Sequence, residues 1–302
     1  MKKVIVFLIF LVSLSSFVFS FDWDMDLEFE FLTSYKTGLT KELVLYESNT
    51  ISQLDWWNQN LIDLEVATNV NIGPWCNRFS FSGTIPCNNN IMEDKDFIND
   101  DIAFFSQHTN QIDTDSRFEY LGLLEFPITP KFTFYPRFGY FVQKRKFSAI
   151  DGYLQYPSGS SIWTGDEPKV NINGSCLTYE QLIQSFIIGC SVSSKLNPTI
   201  KLTAFFHIYP NVKIEAIDHH YLTSVKYRDD MKSNDGYKMG LLLESDINQS
   251  LGMLFRFYYE YIPSEGDTYV SDIGGHGSEI KLDSQSASEI KMFCLSMGFS
   301  YN

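Results

Sequence analysis

The segment from Phe21 to Phe31, FDWDMDLEFEF, alternates apolar and acidic residues without interruption. Because successive side chains of a β-strand point to opposite faces, one face of this strand is aromatic and aliphatic and the other carries only carboxylates. The segment therefore predicts an extended strand that separates a strongly apolar surface from a strongly acidic one. Its apolar face must lie against either a protein core or lipid.

The same two-residue alternation recurs along the chain. Phe, Tyr, Leu, Met and Ile share one face in the segments 78–85, 251–261 and 293–301. A further strand at 61–70 places Asp63 and Glu65 on its polar face. We expect Glu28, Glu30, Asp63, Glu65, Arg256 and Glu260 to form a polar network inside the fold.

Turn signals alternate with longer polar stretches. Short turns rich in Asn, Gly and Pro are predicted at 71–74, 127–130, 196–198 and 248–250. Long polar loops are predicted at the opposite strand ends, at 97–112, 150–176, 220–235 and 264–285. Short turns at one end and long loops at the other are typical of an outer-membrane barrel.

A soluble β-sandwich is the alternative fold, because its strands also alternate. Aromatic residues make up 16% of the chain, with 26 Phe and 17 Tyr, and they dominate the apolar faces as in lipid-facing strands with aromatic girdles. The final amphipathic strand also ends the chain. These features predict an all-β fold, a transmembrane antiparallel barrel of about ten strands.

The first twenty residues are typical of a targeting segment. Lys2 and Lys3 precede an apolar run at 4–19, and Val18-Phe19-Ser20 is a suitable cleavage site. We therefore predict a signal peptide at 1–20 and a barrel domain at 21–302, with an uncleaved anchor helix as the alternative. The scattered, odd set of five cysteines does not form a disulfide framework, and we expect mostly unpaired thiols.

The net charge of −14 disfavours nucleic acid as a partner and favours a cationic ligand or peptide. If the N-terminus is periplasmic, odd-numbered strands run outward. Their outer ends then carry Glu42, the pair Asp94 and Asp96, and the pair Asp218 and His220. In a barrel of about ten strands, the third and seventh strands stand opposite each other, so the two pairs face one cleft.

Residue parity tests this arrangement. Even-numbered residues face the lumen in the first and third strands, which include Glu42 and Asp94. In the seventh strand the even-numbered residues of 202–208 are apolar and face lipid, so Asp218 would point outward too. A bulge at Pro210 would reverse the parity and turn Asp218 inward.

Four motifs in this order resemble the omptins, the outer-membrane proteases of bacteria: ISQLDWW at 51–57, MEDKDF at 92–97, IDHHY at 217–221 and KYRDD at 226–230. The resemblance covers most of 21–302. It implies a ten-stranded barrel extended above the membrane on the extracellular side, with Asp94, Asp96, Asp218 and His220 as the catalytic residues. It also implies a metal-free mechanism in which a water held between His220 and Asp94 attacks the scissile carbonyl without a covalent intermediate. Chemically, an aspartate that fixes a histidine tautomer makes it a better general base.

The resemblance implies further binding residues. Omptins cleave beside basic residues by means of a glutamate, matched by Glu42, and an aspartate, whose position is occupied by Ala216. Ser106 and His108 resemble a Ser-x-His element of the second loop and are candidate substrate-binding residues. Tyr140 and Lys144 match part of the family's lipopolysaccharide site, to which Arg145 and Lys146 would add charge.

The sequence therefore predicts an outer-membrane endopeptidase that uses no cofactor and depends on lipopolysaccharide as an activating lipid. Its predicted partners are cationic peptides or proteins, and its active site faces the extracellular medium. The alternative function is a non-enzymatic barrel that acts as an adhesin or small porin. A porin needs an open lumen, and about ten strands leave little space once side chains fill the interior.

Overall fold

A computed structural model describes residues 25–157, 162–273 and 279–301. The predicted signal peptide and the start of the first strand lie outside these ranges. The described residues form fourteen strands and no helix that could cross a membrane. The strands are β1 (Met25–Tyr46), β2 (Asn49–Ile72), β3 (Trp75–Thr84), β4 (Cys87–Ile98), β5 (Asp101–Leu124), β6 (Phe126–Pro127), β7 (Phe132–Gln155), β8 (Val170–Lys195), β9 (Ile200–Tyr209), β10 (Val212–His220), β11 (Val225–Ser233), β12 (Gly236–Asp246), β13 (Leu251–Asp272) and β14 (Ile280–Tyr301).

The strands pair antiparallel around a complete ring. β3 and β4 follow each other between β2 and β5, β9 and β10 both pair with β8, and β11 and β12 both pair with β13. β6 is a two-residue strand beside β7. β7 pairs with β8 and β14 pairs with β1, so the ring contains ten strands, as predicted.

Alternation along each strand separates the two surfaces. In β1 the even-numbered residues from Leu32 to Lys36 are buried, whereas Phe29, Phe31 and Tyr35 are exposed. Similar exposed apolar residues form a belt around the half of the barrel next to the short turns. The belt includes Leu64, Val66, Phe81, Phe118, Phe138, Phe186, Phe206, Leu241, Phe257, Leu295 and Phe299. We take this belt as the membrane-spanning part.

Ion pairs line the lumen inside this belt. Arg78 contacts Glu30 at 2.7 Å and Glu65 at 2.6 Å, and Arg256 contacts Glu65 at 2.5 Å. The other predicted members of the network also lie inside, with Asn69 donating to Glu28, Lys36 paired with Asp63, and Arg117 paired with Glu260. The predicted polar network is therefore confirmed.

An apolar layer closes the lumen above the ion pairs. Its largest side chains are Trp56, Phe141, Phe147, Tyr179 and Tyr209, and all five are fully buried. The Trp56 ring stacks on Phe147 at 5.6 Å and on Tyr179 at 6.0 Å between centroids. The Phe141 ring lies 3.8 Å from the Arg117 guanidinium, so the layer rests directly on the polar network.

The connections between strands differ from the sequence prediction only at the end of the barrel where long loops were predicted. The four predicted short turns each separate two strands, but the predicted long loops are largely strand. β5 begins at Asp101, directly after a turn at 99–100, and β11 occupies 225–233 inside the predicted loop at 220–235. These segments are polar because the strands continue beyond the apolar belt, where neither face needs to contact lipid.

The predicted reversal of parity in the seventh barrel strand is present. Odd-numbered residues point inward in β9, where His207 and Tyr209 are buried, and even-numbered residues point inward in β10. Pro210 and Asn211 separate the two strands, and Asn211 has a φ of 58°. The extra residue shifts the pairing with β8, so Ile208 pairs with Ile188 whereas Lys213 pairs with Gln184. Asp218 and Ala216 consequently face the interior.

Candidate active site

A cavity of about 710 Å³ opens at the end of the barrel beyond the apolar layer. All seven residues predicted to act in catalysis or substrate binding line it, namely Glu42, Asp94, Asp96, Ser106, His108, Asp218 and His220. Leu54 and Met92, which belong to the apolar layer, also line it. The cavity therefore rests on a closed floor well outside the membrane belt.

Asp218 and His220 form a hydrogen-bonded dyad on β10. They are two residues apart on one strand, so both side chains leave the same face. Oδ2 of Asp218 lies 2.5 Å from Nε2 of His220, and Asp218 is buried while the His220 side chain keeps 30% of its surface exposed. Burial lowers the pKa of His220, but the carboxylates of Asp218 and Asp94 outweigh it and raise that pKa above the usual value.

Asp94 and Asp96 face the dyad from β4. Strands β5, β7 and β8 separate β4 from β10 around the ring, so the two pairs do not lie on neighbouring strands. The pairs meet across the lumen. Burial raises the pKa of Asp94 to about 7, and the Asp96 carboxylate adds to the rise while His220 opposes it. Among the described residues, none hydrogen-bonds to Oδ1 of Asp94. This oxygen atom is itself buried, although the Asp94 side chain lines the cavity.

Ser106 and His108 lie on β5, not in a loop as the sequence suggested. Ser106 pairs directly with Asp94 across the β4–β5 ladder. Nδ1 of His108 lies 2.5 Å from the carbonyl oxygen of Asp151, which can only accept a hydrogen bond, so Nδ1 carries the proton. Nε2 of His108, 3.0 Å from Oγ of Ser106, then accepts from the hydroxyl. Burial lowers the pKa of His108, which keeps the ring neutral.

Two buried carboxylates form the acidic floor of the cavity. Glu42 comes from β1 and is 4% exposed, and Asp229 comes from β11 and is 3% exposed. Burial, followed by the carboxylates of Asp218 and Asp229, raises the pKa of Glu42 well above its usual value. Burial also raises the pKa of Asp229 to about 6, with a contribution from Asp218.

Sequence reasoning missed Asp229. The signal was the KYRDD motif, because one of two adjacent acids in a strand must face inward. The neighbouring Asp230 takes the outward position and pairs with Arg228.

The proposed lipid-binding residues lie on the outer wall. Tyr140 donates to Gln184 Oε1 at 2.7 Å, and the Lys144 side chain is 60% exposed. Lys146 pairs with Glu180 at 2.8 Å. The expectation that Arg145 adds charge to this surface is wrong, because odd-numbered residues of this part of β7 point inward. Arg145 is buried and donates to Thr40 Oγ1.

Two further features concern the cysteines and metals. All five cysteines are free, as predicted from their scattered positions. Within the described ranges, no cluster of three or more His, Cys, Asp or Glu side chains is arranged to hold a metal ion.

Comparisons with solved structures identify a similar fold. The outer membrane protease OmpT from Escherichia coli superposes with a TM-score of 0.81 at 18% sequence identity, covering 94% of this chain and 99% of that one. The translocator domain of the autotransporter NalP from Neisseria meningitidis gives a TM-score of 0.36 at 7% identity, covering 90% and 88%. The toluene transporter TodX from Pseudomonas putida gives 0.31 at 9% identity, covering 94% and 91%. A search of curated protein sequences finds no match.

The family model described as the Omptin family matches residues 27–302, which is nearly the whole of the described barrel. Together with the OmpT-like fold, this match supports an outer-membrane protease. The chain belongs to the omptin family.

Proposed function

We propose that the protein is an outer-membrane endopeptidase that hydrolyses peptide bonds beside basic residues with a water activated by Asp218 and His220. The observation that supports this best is the placement of the hydrogen-bonded dyad opposite Asp94 in one cavity. A general base must lie within reach of the proton that it abstracts, and the Asp94 carboxylate, which lines the same cavity, offers a second contact for the same water.

The dyad geometry assigns a role to each atom. Asp218 accepts from the Nε2–H of His220, so the Nδ1 lone pair is the basic site of the neutral ring. A water held between Nδ1 and Asp94 loses a proton to His220 as its oxygen attacks the scissile carbonyl. The tetrahedral intermediate then collapses, and His220 returns the proton to the leaving amine. Asp218 stabilises the imidazolium that exists between the two transfers, and Asp96 helps to position the reacting groups.

The charge of the cavity supports a basic substrate. Glu42, Asp218 and Asp229 bring three buried carboxylates to its wall and floor, and the whole chain carries a net charge of −14. An acidic cleft with low-dielectric walls attracts cationic peptides and raises their association rate. We therefore propose cationic peptides or proteins as substrates, with the cavity directed to the extracellular medium.

Lipopolysaccharide is the proposed activating lipid, and no cofactor is needed for the chemistry. Tyr140 and Lys144 lie on the outward face, where a lysine ammonium can bind a lipid phosphate. On the same surface, Lys146 of β7 pairs with Glu180 of β8, which Lys144 also approaches at 3.9 Å. Binding of a phosphate here would connect the outer leaflet to the strands β7 and β8 that carry part of the cavity wall.

The interior argues against a porin. The fully buried rings of Trp56, Phe141 and Tyr179 lie across the lumen, and the ion pairs of Arg78 and Arg117 fill the space below them. A water-filled path of the kind that a porin uses is therefore closed at two levels. An adhesin could share this closed scaffold, and peptide cleavage distinguishes it from a protease.

The test is cleavage of a quenched fluorescent peptide with an Arg-Arg bond by refolded protein in the presence of lipopolysaccharide. We expect cleavage by the wild-type protein and its loss in His220→Ala and in Asp94→Ala. His219→Ala is the matched control, because His219 is the adjacent residue on the opposite face of β10 and stacks on Tyr221. Absence of cleavage of this peptide and of a mixed peptide library, by protein with the heat-modifiable mobility of a folded barrel, would contradict the proposal and favour an adhesin.

A further inference from the structure

We propose that Asp229, together with Glu42, binds the basic side chain of the substrate, and that it takes over the position that Ala216 leaves without a charge. This inference rests on the proposed function and names a residue that determines its specificity. It concerns the cavity floor and not the reacting atoms, because Asp229 is one layer below the dyad on the neighbouring strand.

The strand register places Asp229 where a missing acid can be replaced. Asp229 pairs directly with Ala216 in the β10–β11 ladder. Directly paired residues of an antiparallel ladder have Cα atoms about 4.5–5.5 Å apart and side chains on the same face. Ala216 is fully buried and Asp229 is 3% exposed, so both side chains point inward. Moving the carboxylate from β10 to β11 therefore shifts it by about one strand spacing without changing its height in the barrel.

The shift brings the acid closer to Glu42 around the ring. β11 pairs with β13, β13 with β14, and β14 with β1, which carries Glu42. An acid at position 216 would be one strand further away. Glu42 and Asp229 both line the cavity, so a long cationic side chain that enters it can contact both carboxylates.

Each of the two carboxylates has an oxygen atom that could accept a hydrogen bond from a cationic side chain of the substrate. Oε2 of Glu42 and Oδ1 of Asp229 are buried, and no described residue hydrogen-bonds to either. The ion pairs formed among the described residues likewise involve neither side chain. A buried carboxylate without a partner is costly, and a guanidinium or ammonium group supplies both the opposite charge and the missing donors. Burial, followed by the carboxylates of Asp218 and Asp229, raises the pKa of Glu42 because each disfavours its charged form, and a cation bound beside it would oppose this rise.

Proximity to the dyad does not by itself explain these unpaired carboxylate oxygen atoms. Asp218 is also buried, but it is engaged with His220, whereas the groups beside Asp229 include the neutral hydroxyls of Thr268 and Ser286, and no ion pair of the described residues involves it. Gln181 completes the row on the other side of Ala216, and its Oε1 atom is a further buried acceptor that no described residue contacts through a hydrogen bond. The row formed by Gln181, Ala216 and Asp229 therefore places one buried acceptor on each side of Ala216.

The experiment compares two peptides that differ only in arginine or citrulline beside the scissile bond, because citrulline is a neutral isostere of arginine. The measured quantity is the ratio of kcat/KM for the two peptides, in the wild type, Asp229→Asn and Glu42→Gln. We expect Asp229→Asn to lower this ratio about 10- to 100-fold, as for loss of a hydrogen bond to a charged group. Cleavage of the citrulline peptide should change little, which a general structural defect would not allow.

Glu215→Gln is the matched control, since Glu215 is adjacent to Ala216 but exposed on the outer face. A second variant, Ala216→Asp combined with Asp229→Ala, moves the carboxylate to the paired position and should recover most of the arginine preference. It also tests the inference if Asp229→Asn fails to fold, as judged by heat-modifiable mobility.

The outcomes separate the two proposals. A wild type that cleaves the arginine peptide, with an unchanged ratio in Asp229→Asn, overturns the role of Asp229 and leaves the protease intact. A wild type that cleaves neither peptide contradicts the proposed function. In that case, anisotropy of a labelled arginine peptide tests the pocket itself, and equal affinity of the wild type and Asp229→Asn overturns the inference.

Discussion

Nε2 of His220 lies 2.5 Å from Oδ2 of Asp218, and both side chains face Asp94 across the lumen. The contact uses one ring nitrogen and leaves the other directed to the cavity. A buried carboxylate in this position fixes the tautomer of the ring and stabilises its protonated form. The arrangement depends on two strands, β4 and β10, that are far apart in the sequence and on opposite sides of the barrel.

Removal of the dyad should reduce turnover more than binding. We expect Asp218→Asn and His220→Ala each to lower kcat by about 10²–10⁴, the usual contribution of a positioned general base. The double variant should be little worse than His220→Ala, since the two residues act as a unit. Steady-state kinetics on the arginine peptide provide the measurement, and additive losses would contradict the shared role.

The rate should depend on pH near neutrality. His220 acts as a base only when neutral, and its pKa is raised, so activity is gained as the pH rises through that pKa. Burial raises the pKa of Asp94 to about 7, and its carboxyl group accepts more strongly from water when ionised, so it acts in the same direction. We expect kcat/KM to increase from pH 6 to pH 8. A profile that falls over this range would be incompatible with these roles.

Asp96→Asn should move this profile in a defined direction. The Asp96 carboxylate raises the pKa values of both Asp94 and His220, so its neutralisation should shift the acidic limb of kcat/KM to lower pH. Glu93→Gln is the control, because Glu93 pairs with Lys95 and does not line the cavity. Equal profiles for Asp96→Asn and the wild type would argue against an electrostatic contact between Asp96 and these groups.

The buried ion pairs should matter for stability and not for chemistry. Arg117 contacts both Glu119 and Glu260 at 2.7 Å. Arg117→Met leaves two buried carboxylates without this cation and should cost about 3–5 kcal/mol of folding free energy. Urea unfolding in detergent, followed by heat-modifiable mobility, measures the loss. Lys213→Met on the exposed face of β10 is the control and should be close to neutral.

The outer wall of β7 gives a prediction about the lipid. Lys144→Ala combined with Lys146→Ala should raise the lipopolysaccharide concentration needed for half-maximal activity by about tenfold or more, since hydrogen bonds to charged groups contribute about 1.5–3 kcal/mol each. Arginine preference should remain unchanged in this variant. An unaltered concentration dependence would place the lipid elsewhere on the barrel.

The sequence predicted the barrel because lipid imposes a strict two-residue period that local inspection can detect. The belt residues such as Phe31 and Phe257 and the inward acids Glu30 and Glu65 followed directly from that period. The OmpT-like fold and the family match confirm the predicted architecture. The proposed catalytic pairs came from motif resemblance. Parity alone placed Asp94 and Asp96 on an inward face, whereas Asp218 and His220 required the bulge at Pro210.

The remaining features of the fold and the site could be recognised only in the three-dimensional structure. The strands at 101–112 and 225–233 resembled loops because they lie outside lipid, where polar residues are tolerated on both faces. Arg145 looked like a surface charge because its neighbours Lys144 and Lys146 are basic, although alternation turns it inward. The pairing of Asp229 with Ala216 could not be predicted without the register between β10 and β11. The two residues lie on either side of a turn, and the length of the turn does not determine which residues pair.

The single additional residue at Pro210–Asn211 reverses, partway along this barrel strand, which residues point inward. Odd-numbered residues point inward before this junction, and even-numbered residues point inward after it. Deleting one residue at this point would leave the membrane half unchanged but would exchange Asp218 and His220 for Ile217 and His219 at the cavity wall. Substitutions in the two halves can therefore accumulate independently, whereas the length of this junction cannot vary by one residue without loss of the dyad.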